Sequence, residues 1–277
     1  MRTILITGGT NGIGKGVASR FLKKGDRVIV VGSSAANGEI FYNEAKQIGA
    51  AGRAIYIQAD LSLIKENQRV INEIKDRFSS LDMVIFCAVK HSTTYTETGE
   101  GLETIFALYY LSRFILSYGL KEALEKTKNP VILNVCAPGM KGEVNWDDLQ
   151  HKESFKNVSY HGSRLNDLLG VAFAENDTVH KIKYILYNPM AVQTSGVLEM
   201  FGNPLMKNIV KLSYKIIGKS IEKAAEIIFE ILDNPPTSPL SAFKERKKVS
   251  LDMPTFDKEN AERLYNITTQ MLETSDI

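Results

Sequence analysis

The stretch TILITGGTNGIG, residues 3–14, decides the fold of this chain. It begins with β-prone residues, passes through a glycine-rich turn and runs into a segment with helical periodicity. The glycines allow a tight turn and a close approach of backbone to a ligand, and the helix that follows offers unpaired amide N–H groups to an anion. The stretch therefore predicts a diphosphate-binding loop formed by Thr7, Gly8, Thr10, Asn11, Gly12, Ile13 and Gly14.

The rest of the chain repeats this strand-to-helix order. Strands are predicted at Thr3–Thr7, Arg27–Val31, Ala54–Gln58, Met83–Cys87, Val131–Val135 and Lys183–Tyr187. Helices are predicted at Gly12–Lys24, Gly38–Ile48, Ile64–Phe78, Leu102–Glu125, Tyr160–Glu175, Ile221–Leu232 and Lys258–Leu272. Strands that are apolar nearly throughout are typical of a sheet covered on both faces. The order predicts an α/β fold, a single Rossmann-type doubly wound domain over residues 1–277, with a parallel sheet flanked by helices.

Composition narrows the function classes. The chain has 34 basic and 32 acidic residues, a net charge of +2, so it gives no electrostatic case for binding nucleic acid or an anionic membrane. The densest basic cluster, residues 244–248, is predicted to be a solvated strand edge or loop. The four histidines, His91, His151, His161 and His180, lack metal-ligand spacing, and no metal site is expected.

The cysteines and the apolar runs indicate the cellular compartment of the protein. Cys87 and Cys136 each lie in an apolar run that reads as a strand, and both are expected to be free thiols of a reducing compartment. We find no signal peptide and no apolar run long enough to span a bilayer. The sequence-based expectation is a cytoplasmic protein without a membrane partner.

Several motifs resemble those of one known family. The spacing Gly-x-x-x-Gly-x-Gly, led by Thr7, resembles the short-chain dehydrogenase/reductase family. Asp60-Leu61 after the third strand is similar to the place where this family sets an Asp beside adenine, although a carboxylate near a helix start is the alternative. The stretches WDDLQ (146–150), YHGSRLN (160–166) and AERLY (261–265) resemble the retinol-dehydrogenase-like branch. The resemblance covers almost the whole chain and implies a nicotinamide cofactor.

The end of the second strand bears on the choice of cofactor. An NAD enzyme usually carries an acidic residue here to hold the ribose 2′-OH, and the nearest one in this chain is Glu39. The hydroxyls of Ser33 and Ser34 could bind a 2′-phosphate, and Lys15 is a candidate counter-charge, although no arginine is present. The sequence favours NADP(H) over NAD(H).

The catalytic residues that the resemblance implies are only partly present. The family uses an Asn-Ser-Tyr-Lys set, with the tyrosine as general acid/base. Tyr160 takes the tyrosine's place, and Arg164 stands where lysine is expected, one helical turn later on the same face. Arginine keeps the positive charge but has a different donor geometry. The resemblance thus implies that Tyr160 transfers the proton and that Arg164 tunes it and binds the nicotinamide ribose.

The rest of the set is missing. The best register puts Ala137 at the serine, a one-residue shift puts Cys136 there, and Tyr109 aligns with the asparagine. Loss of one oxyanion donor typically costs about 10²–10³ in rate. Further cofactor contacts implied by the resemblance are Ala88, Pro189, Val192 and Thr194. The segment Met190–Tyr214 corresponds to the family's lid, and its apolar side chains indicate either an apolar substrate face or core packing.

Three functions stay open. The first is an NADP-dependent oxidoreductase with an altered active site, acting on a small or medium carbonyl or alcohol. The second is a non-catalytic nucleotide-binding sensor or scaffold, because the serine and asparagine are absent. The third is dehydration or isomerisation on the same fold. A homodimer or homotetramer is expected by resemblance alone, through the long helices that begin near Leu102 and Tyr160.

Overall fold

The predicted strands form the centre of the fold in a computed structural model, which describes residues 1–153, 155, 158–193 and 218–274. The strands are β1 (Thr3–Thr7), β2 (Arg27–Gly32), β3 (Ala54–Gln58), β4 (Met83–Phe86), β5 (Val131–Val135), β6 (Lys183–Asn188), β7 (Leu240–Lys244) and β8 (Lys247–Lys248). The helices are α1 (Gly12–Lys24), α2 (Ala35–Gln47), α3 (Ile64–Arg77), α4 (residues 104–119), α5 (Lys121–Glu125), α6 (Val158–Asn176), α7 (Ile221–Asp233) and α8 (Lys258–Thr274). Short 3-10 turns lie at Ala51–Arg53 and Pro254–Phe256.

The sheet order creates a crevice beside the first strand. The order is β3-β2-β1-β4-β5-β6-β7-β8, and every neighbouring pair is parallel except β7 with β8. The direction in which successive strands are added to the sheet reverses between β1 and β4, because β2 and β3 lie on one side of β1 and all later strands lie on the other. Thr7 pairs with Val31 and with Phe86, so three strand ends meet at this switch point. The predicted doubly wound parallel sheet is confirmed.

Alternating side chains build two apolar layers. In β1, Ile4 and Ile6 pack in one layer with α1, α2 and α7, whereas Leu5 packs in the other with α3, α4, α6 and α8. All three side chains are fully buried. Because both faces are covered, the strands carry the apolar runs that identified them in the sequence.

The predicted helix Leu102–Glu125 is interrupted in the structure. It begins at Thr104, because the Glu103 carboxylate accepts hydrogen bonds from the amides of Ile105 and Phe106. A π-helical turn follows at Ala107–Leu111, and α4 ends at Gly119 before the separate helix α5. Apolar periodicity located this helical segment. It could not reveal the π turn, because the one extra residue of that turn lies within a segment that is apolar throughout.

Helix α8 covers the outer faces of α4 and α6. The Tyr110 hydroxyl lies 2.6 Å from Thr268 Oγ1, and the Tyr265 ring centroid lies 5.7 Å from that of Phe114 and 5.3 Å from that of Tyr118. No residue from 102 to 120 is exposed, and none is exposed from 161 to 174. The homodimer or homotetramer expected through these two helices stays a prediction, and within this chain α8 covers part of both helices.

The strands β7 and β8 were missed by the sequence analysis. They form an antiparallel hairpin whose turn contains Glu245, with φ of 57°. The basic cluster of residues 244–248 lies in this hairpin, where Arg246 donates to the Glu230 carboxylate of α7 at 2.7 Å. Only Ser241, Ala242 and Phe243 of β7 are buried, too few to produce an apolar run. Within the described ranges, no helix has both the length and the apolarity to cross a bilayer.

Candidate functional site

A cleft of about 550 Å³ lies beyond the carboxyl ends of the central strands, at the switch point. The loops after β1, β2, β3, β4, β5 and β6 form its walls. The structure brings thirteen of the predicted site residues together there: Gly8, Thr10, Asn11, Gly12, Ile13, Gly14, Ser33, Ser34, Asp60, Leu61, Ala88, Pro189 and Val192. The volume falls in the usual range for small-molecule and cofactor sites.

The glycine loop is closely packed on the backbone around it. Gly8 has φ of 67°, and a Cβ added there would lie 2.8 Å from the backbone of Ala88. A Cβ added at Gly14 would lie 2.4 Å from the carbonyl oxygen of Gly8. Helix α1 starts without a side-chain cap from Asn11 and without an acidic residue in its first turn. This helix start is therefore open to an anion, and the loop fits the diphosphate of a dinucleotide.

Thr7 supports the loop from below the cleft. It is buried, and its Oγ1 accepts a hydrogen bond from the amide of Ala88 at 3.3 Å. The threonine thus ties the end of β1 to the loop after β4. Its side chain is absent from the cleft lining, so the geometry gives it a positioning part rather than a direct contact.

The end of β2 forms a polar corner of the cleft. Ser34 caps α2, its Oγ accepting from the Asn37 amide at 3.3 Å, which leaves the hydroxyl hydrogen able to donate to a ligand. The Tyr56 hydroxyl lies 2.7 Å from the carbonyl oxygens of both Gly32 and Ser34 and fixes this turn. Asn37 also lines the corner, which sequence reasoning missed.

Of the two charged residues considered for this corner, Asp60 lines the cleft and Lys15 does not. Lys15 Nζ lies 2.6 Å from the Glu44 carboxylate, so the candidate counter-charge is already in an ion pair. Asp60 Oδ1 accepts from both the amide and the hydroxyl of Ser62, at 3.0 and 2.7 Å. Among the described residues that line the cleft, Asp60 is the sole carboxylate.

The chemical end of the cleft holds no hydroxyl from β5. Cys136 and Ala137, the two candidates for the serine position, both line the cleft. Burial raises the pKa of the Cys136 thiol above its usual range and raises the pKa of Cys87 to about 12. Both thiols are unbridged, and their burial disfavours the thiolate form that a nucleophilic cysteine requires.

Tyr160 and Arg164 lie outside the cleft lining. The Tyr160 side chain is 48% exposed on the first turns of α6. Arg164 is 2% exposed and points inward, with Nη1 2.7 Å from the Asp167 carboxylate and Nη2 donating to the Ala137 carbonyl at 3.2 Å. Burial raises the pKa of Asp167 to about 7, and the Arg164 charge opposes that effect. Their predicted catalytic roles stay predictions.

Tyr109 does line the cleft. It lies in the π turn of α4, a kind of turn that occurs frequently at functional sites. Burial raises the pKa of its phenol to about 12, opposed by the Arg113 charge and by a hydrogen bond with Ser163. A Cβ added at Gly162 of α6 would lie 2.7 Å from the Tyr109 ring, so the glycine makes room for it.

Arg113 is a buried charge that the sequence analysis missed. Its guanidinium lies 4.3 Å from the Tyr109 ring centroid and donates to the carbonyls of Ala88 and Val135, each at 3.0 Å, and to the Asn134 side chain. It therefore joins α4 to the ends of β4 and β5 immediately behind the cleft. The available signal was a charge inside an apolar helical run, four residues after Tyr109.

Other lining residues lie in the loop that follows a strand. Lys90 and His91 come four and five residues after the end of β4 and also line the cleft, a placement that their position after a strand could have suggested. Thr194 lies outside the described residues, and of the predicted lid only residues 190–193 are described. In the part of the chain that the structure describes, no cluster of three potential metal ligands occurs.

Comparison with known proteins agrees with this geometry. The sequence profile of short chain dehydrogenases matches residues 2–147. The chain is similar to retinol dehydrogenase 12 of Mus musculus, 24% identical over 98% of this chain and 86% of the relative. It is also similar to retinol dehydrogenase 14 of Homo sapiens, 23% identical with the same two coverages. A solved short chain dehydrogenase from Salmonella enterica serovar Typhi has the same fold, with a TM-score of 0.68 at 16% identity over 89% of this chain and 96% of that one.

Proposed function

Because this chain belongs to the short-chain dehydrogenase family, an oxidoreductase family, we propose that it binds NADP(H) in the cleft and interconverts a carbonyl compound and its alcohol. The observation that carries the proposal is the loop of residues 8–14, in which Gly8 and Gly14 are packed too closely for side chains and which leads into an uncapped helix start. The bound cofactor would supply or accept the hydride, while the chain binds, orients and handles the proton.

Each wall of the cleft has a part in holding the cofactor. The amides that begin α1 would hold the diphosphate, and Asp60 and Leu61 would flank the adenine. Pro189 and Val192 after β6 would contact the nicotinamide half from the opposite side. The apolar surface at that end, formed with Leu108 and Met190, favours an apolar carbonyl substrate.

The polar corner after β2 supports NADP(H) over NAD(H). The corner is formed by Ser33, Ser34 and Asn37, none of which has a carboxylate that could accept a hydrogen bond from the ribose 2′-OH. A 2′-phosphate bound there would meet hydroxyl groups and an amide instead. The Ser34 hydroxyl can donate while it caps α2. Lys15 would leave its ion pair with Glu44 and pair with the 2′-phosphate instead. Breaking the Lys15–Glu44 pair costs little because it lies at the surface.

The proposed proton donor is the phenol of Tyr160. The family resemblance assigns proton transfer to Tyr160 with Arg164 as its tuning cation. That role requires the first turns of α6 to bring both side chains into the cleft, since neither lines it in this structure. Replacement of Tyr160 by phenylalanine tests the assignment directly, because the change removes one hydroxyl from a half-exposed ring.

Titration and turnover together test the function. Purified protein is titrated with NADPH and with NADH by intrinsic fluorescence, and then assayed against aldehydes and ketones of increasing chain length. All-trans-retinal is included because the named relatives are retinol dehydrogenases. We expect NADPH to bind at least tenfold more tightly than NADH and some carbonyls to be reduced. Unchanged fluorescence at millimolar NADPH would refute cofactor binding in the cleft.

A second candidate is a non-catalytic NADP(H)-binding protein. It is favoured by the lack of a hydroxyl at Cys136 and Ala137 and by the ion pair that commits Arg164 to Asp167. This function predicts the same NADPH titration without turnover of any carbonyl in the panel. The turnover assay therefore separates the two candidates.

A further inference from the structure

We propose that Arg113 holds a positive charge beneath the nicotinamide half of the cleft, so that the protein binds the reduced cofactor more tightly than the oxidised one. The inference rests on the NADP(H) binding proposed above and adds a selectivity between the two redox states. The oxidised nicotinamide ring carries a positive charge, whereas the reduced ring is neutral. A fixed cation nearby therefore repels only the oxidised form.

Arg113 lies directly behind the wall of the cleft. Its guanidinium donates to the carbonyls of Ala88 and Val135, each at 3.0 Å, and both of these residues line the cleft. It also lies 4.3 Å from the ring centroid of Tyr109, a third lining residue. The charge is thus in contact with three residues of the wall, although the arginine itself does not line the cleft.

The order of the strands places this charge under the nicotinamide half. The diphosphate loop follows β1, and the proposed adenine contacts Asp60 and Leu61 follow β3, on one side of it. Ala88 and Val135 lie at the ends of β4 and β5, on the other side. A dinucleotide with its diphosphate over β1 and its adenine beside β3 would extend its other half across β4 and β5, and hence over Arg113.

The hydrogen-bond acceptors of Arg113 are neutral. Besides the two carbonyls, its Nη1 donates to the Oδ1 atoms of Asn134 and Asn166, the latter at 3.4 Å. Within the described ranges its guanidinium forms no ion pair, and the residue is 1% exposed. An arginine held by amide and carbonyl oxygens keeps its full charge, and burial keeps water from screening that charge.

Groups that line the cleft already respond to this charge. Burial raises the pKa of Cys87, of Cys136 and of Tyr109, and the charge of Arg113 opposes that rise in all three. A charge that favours the anionic form of these groups disfavours a cation at the same place, because the same interaction then has the opposite sign.

Two other cations near this end of the cleft are paired or exposed. Arg164 Nη1 lies 2.7 Å from the Asp167 carboxylate, so these two charges largely cancel. Lys90 lines the cleft, but it is exposed and water screens its charge. Among these three cations of the described chain, Arg113 alone is both buried and without an opposite charge.

Calorimetric titration of the full chain with NADPH and with NADP⁺ tests the proposal through the ratio of the two dissociation constants. Arg113→Met removes the charge and keeps a long side chain. Asn134→Asp leaves Arg113 in place and sets a carboxylate against it, since Asn134 already accepts from the guanidinium. General damage to the cleft weakens the binding of both forms alike and therefore cancels in the ratio.

We expect wild type to bind NADPH more tightly than NADP⁺. In Arg113→Met and in Asn134→Asp the ratio of the NADP⁺ to the NADPH constant should fall about tenfold, the effect of unit charges roughly 10 Å apart at an effective dielectric constant of about 20. Arg113→Lys retains the charge and should stay within about threefold of wild type. Arg53→Met is the matched control, because it removes a positive charge just before β3, at the end of the sheet opposite the cleft.

Three results would overturn the proposal while cofactor binding stands. The first is a ratio within about twofold of wild type in folded Arg113→Met or Asn134→Asp. The second is an equal fall in Arg53→Met, because the effect would then follow net charge rather than position. The third is tighter binding of NADP⁺ than of NADPH by wild type. Wild-type protein that binds neither form refutes the cofactor site itself, and the selectivity falls with it.

Discussion

Acidification should destabilise the fold through one buried histidine. His161, the residue after Tyr160 in α6, is 5% exposed, and its ring centroid lies 4.4 Å from that of His151. Burial, together with a smaller effect of positive charge on His151, lowers the pKa of His161 from 6.5 to about 4, and Asp148 opposes both effects. His161 is therefore neutral in the native protein across the whole range in which a histidine of the unfolded chain becomes charged.

The sign and size of the change in the free energy of unfolding follow from proton linkage. Below pH 6.5 His161 binds a proton in the unfolded chain, whereas in the native protein it stays neutral down to about pH 4. The free energy of unfolding therefore falls as the pH falls through this window. At about 1.4 kcal/mol for each pH unit, the gap between 6.5 and about 4 corresponds to a loss of about 3 kcal/mol. Above pH 6.5 this histidine makes no pH-dependent contribution.

Urea unfolding measures the effect. Wild type and His161→Gln are unfolded at pH 7, 6, 5 and 4 under circular dichroism, and the difference between their free energies of unfolding is plotted against pH. Carboxylates titrate equally in both proteins, so the difference isolates His161 and should shrink by about 3 kcal/mol from pH 7 to 4. His180→Asn is the control, since His180 is exposed and its φ of 49° suits asparagine. Parallel stability curves for wild type and His161→Gln would refute the reasoning.

Three further predictions concern the site. Gly14→Ala places a methyl group 2.4 Å from the Gly8 oxygen, so it should weaken NADPH binding at least tenfold by calorimetry; unchanged affinity in a folded variant would contradict the loop assignment. Ser34→Asp should still cap α2 but repel a 2′-phosphate, shifting the NADPH-to-NADH affinity ratio toward NADH by about 10–100-fold, or roughly 1.4–2.8 kcal/mol. Arg164→Ala removes the charge that pairs with buried Asp167, so urea unfolding at pH 8 should show a loss of about 3–5 kcal/mol that becomes smaller at pH 6, where Asp167 takes up a proton; equal losses at both pH values would exclude the ion pair as the cause.

The sheet and the glycine loop were predictable because their signals are local. Five residues of β1 and the glycines after them carry the strand, the turn and the helix start within one short stretch. The hairpin of β7 and β8 carried no such signal. Its strand has a buried serine and continues into a charged turn, and it forms because β6 provides a parallel partner for Leu240–Lys244.

The chemical end of the site could not be predicted from residue types. Spacing placed Tyr160 and Arg164 on one helix face, but Asp167 lies one turn further on and draws the arginine inward. Tyr109 aligned with the position of a missing asparagine. Its part in the cleft depends on Gly162 from another helix and on Arg113 beneath its ring, both set by tertiary packing.

Helix α8 shields aromatic side chains of α4 from water, so loss of α8 would expose them. Proteolytic cleavage before Lys258 would bare the rings of Phe114 and Tyr118 along a helix that has no exposed residue of its own. A continuous aromatic strip open to water promotes self-association. Clipped molecules would therefore collect in high-molecular-weight fractions, even though every strand of the sheet and every wall of the cleft lies upstream of the cut.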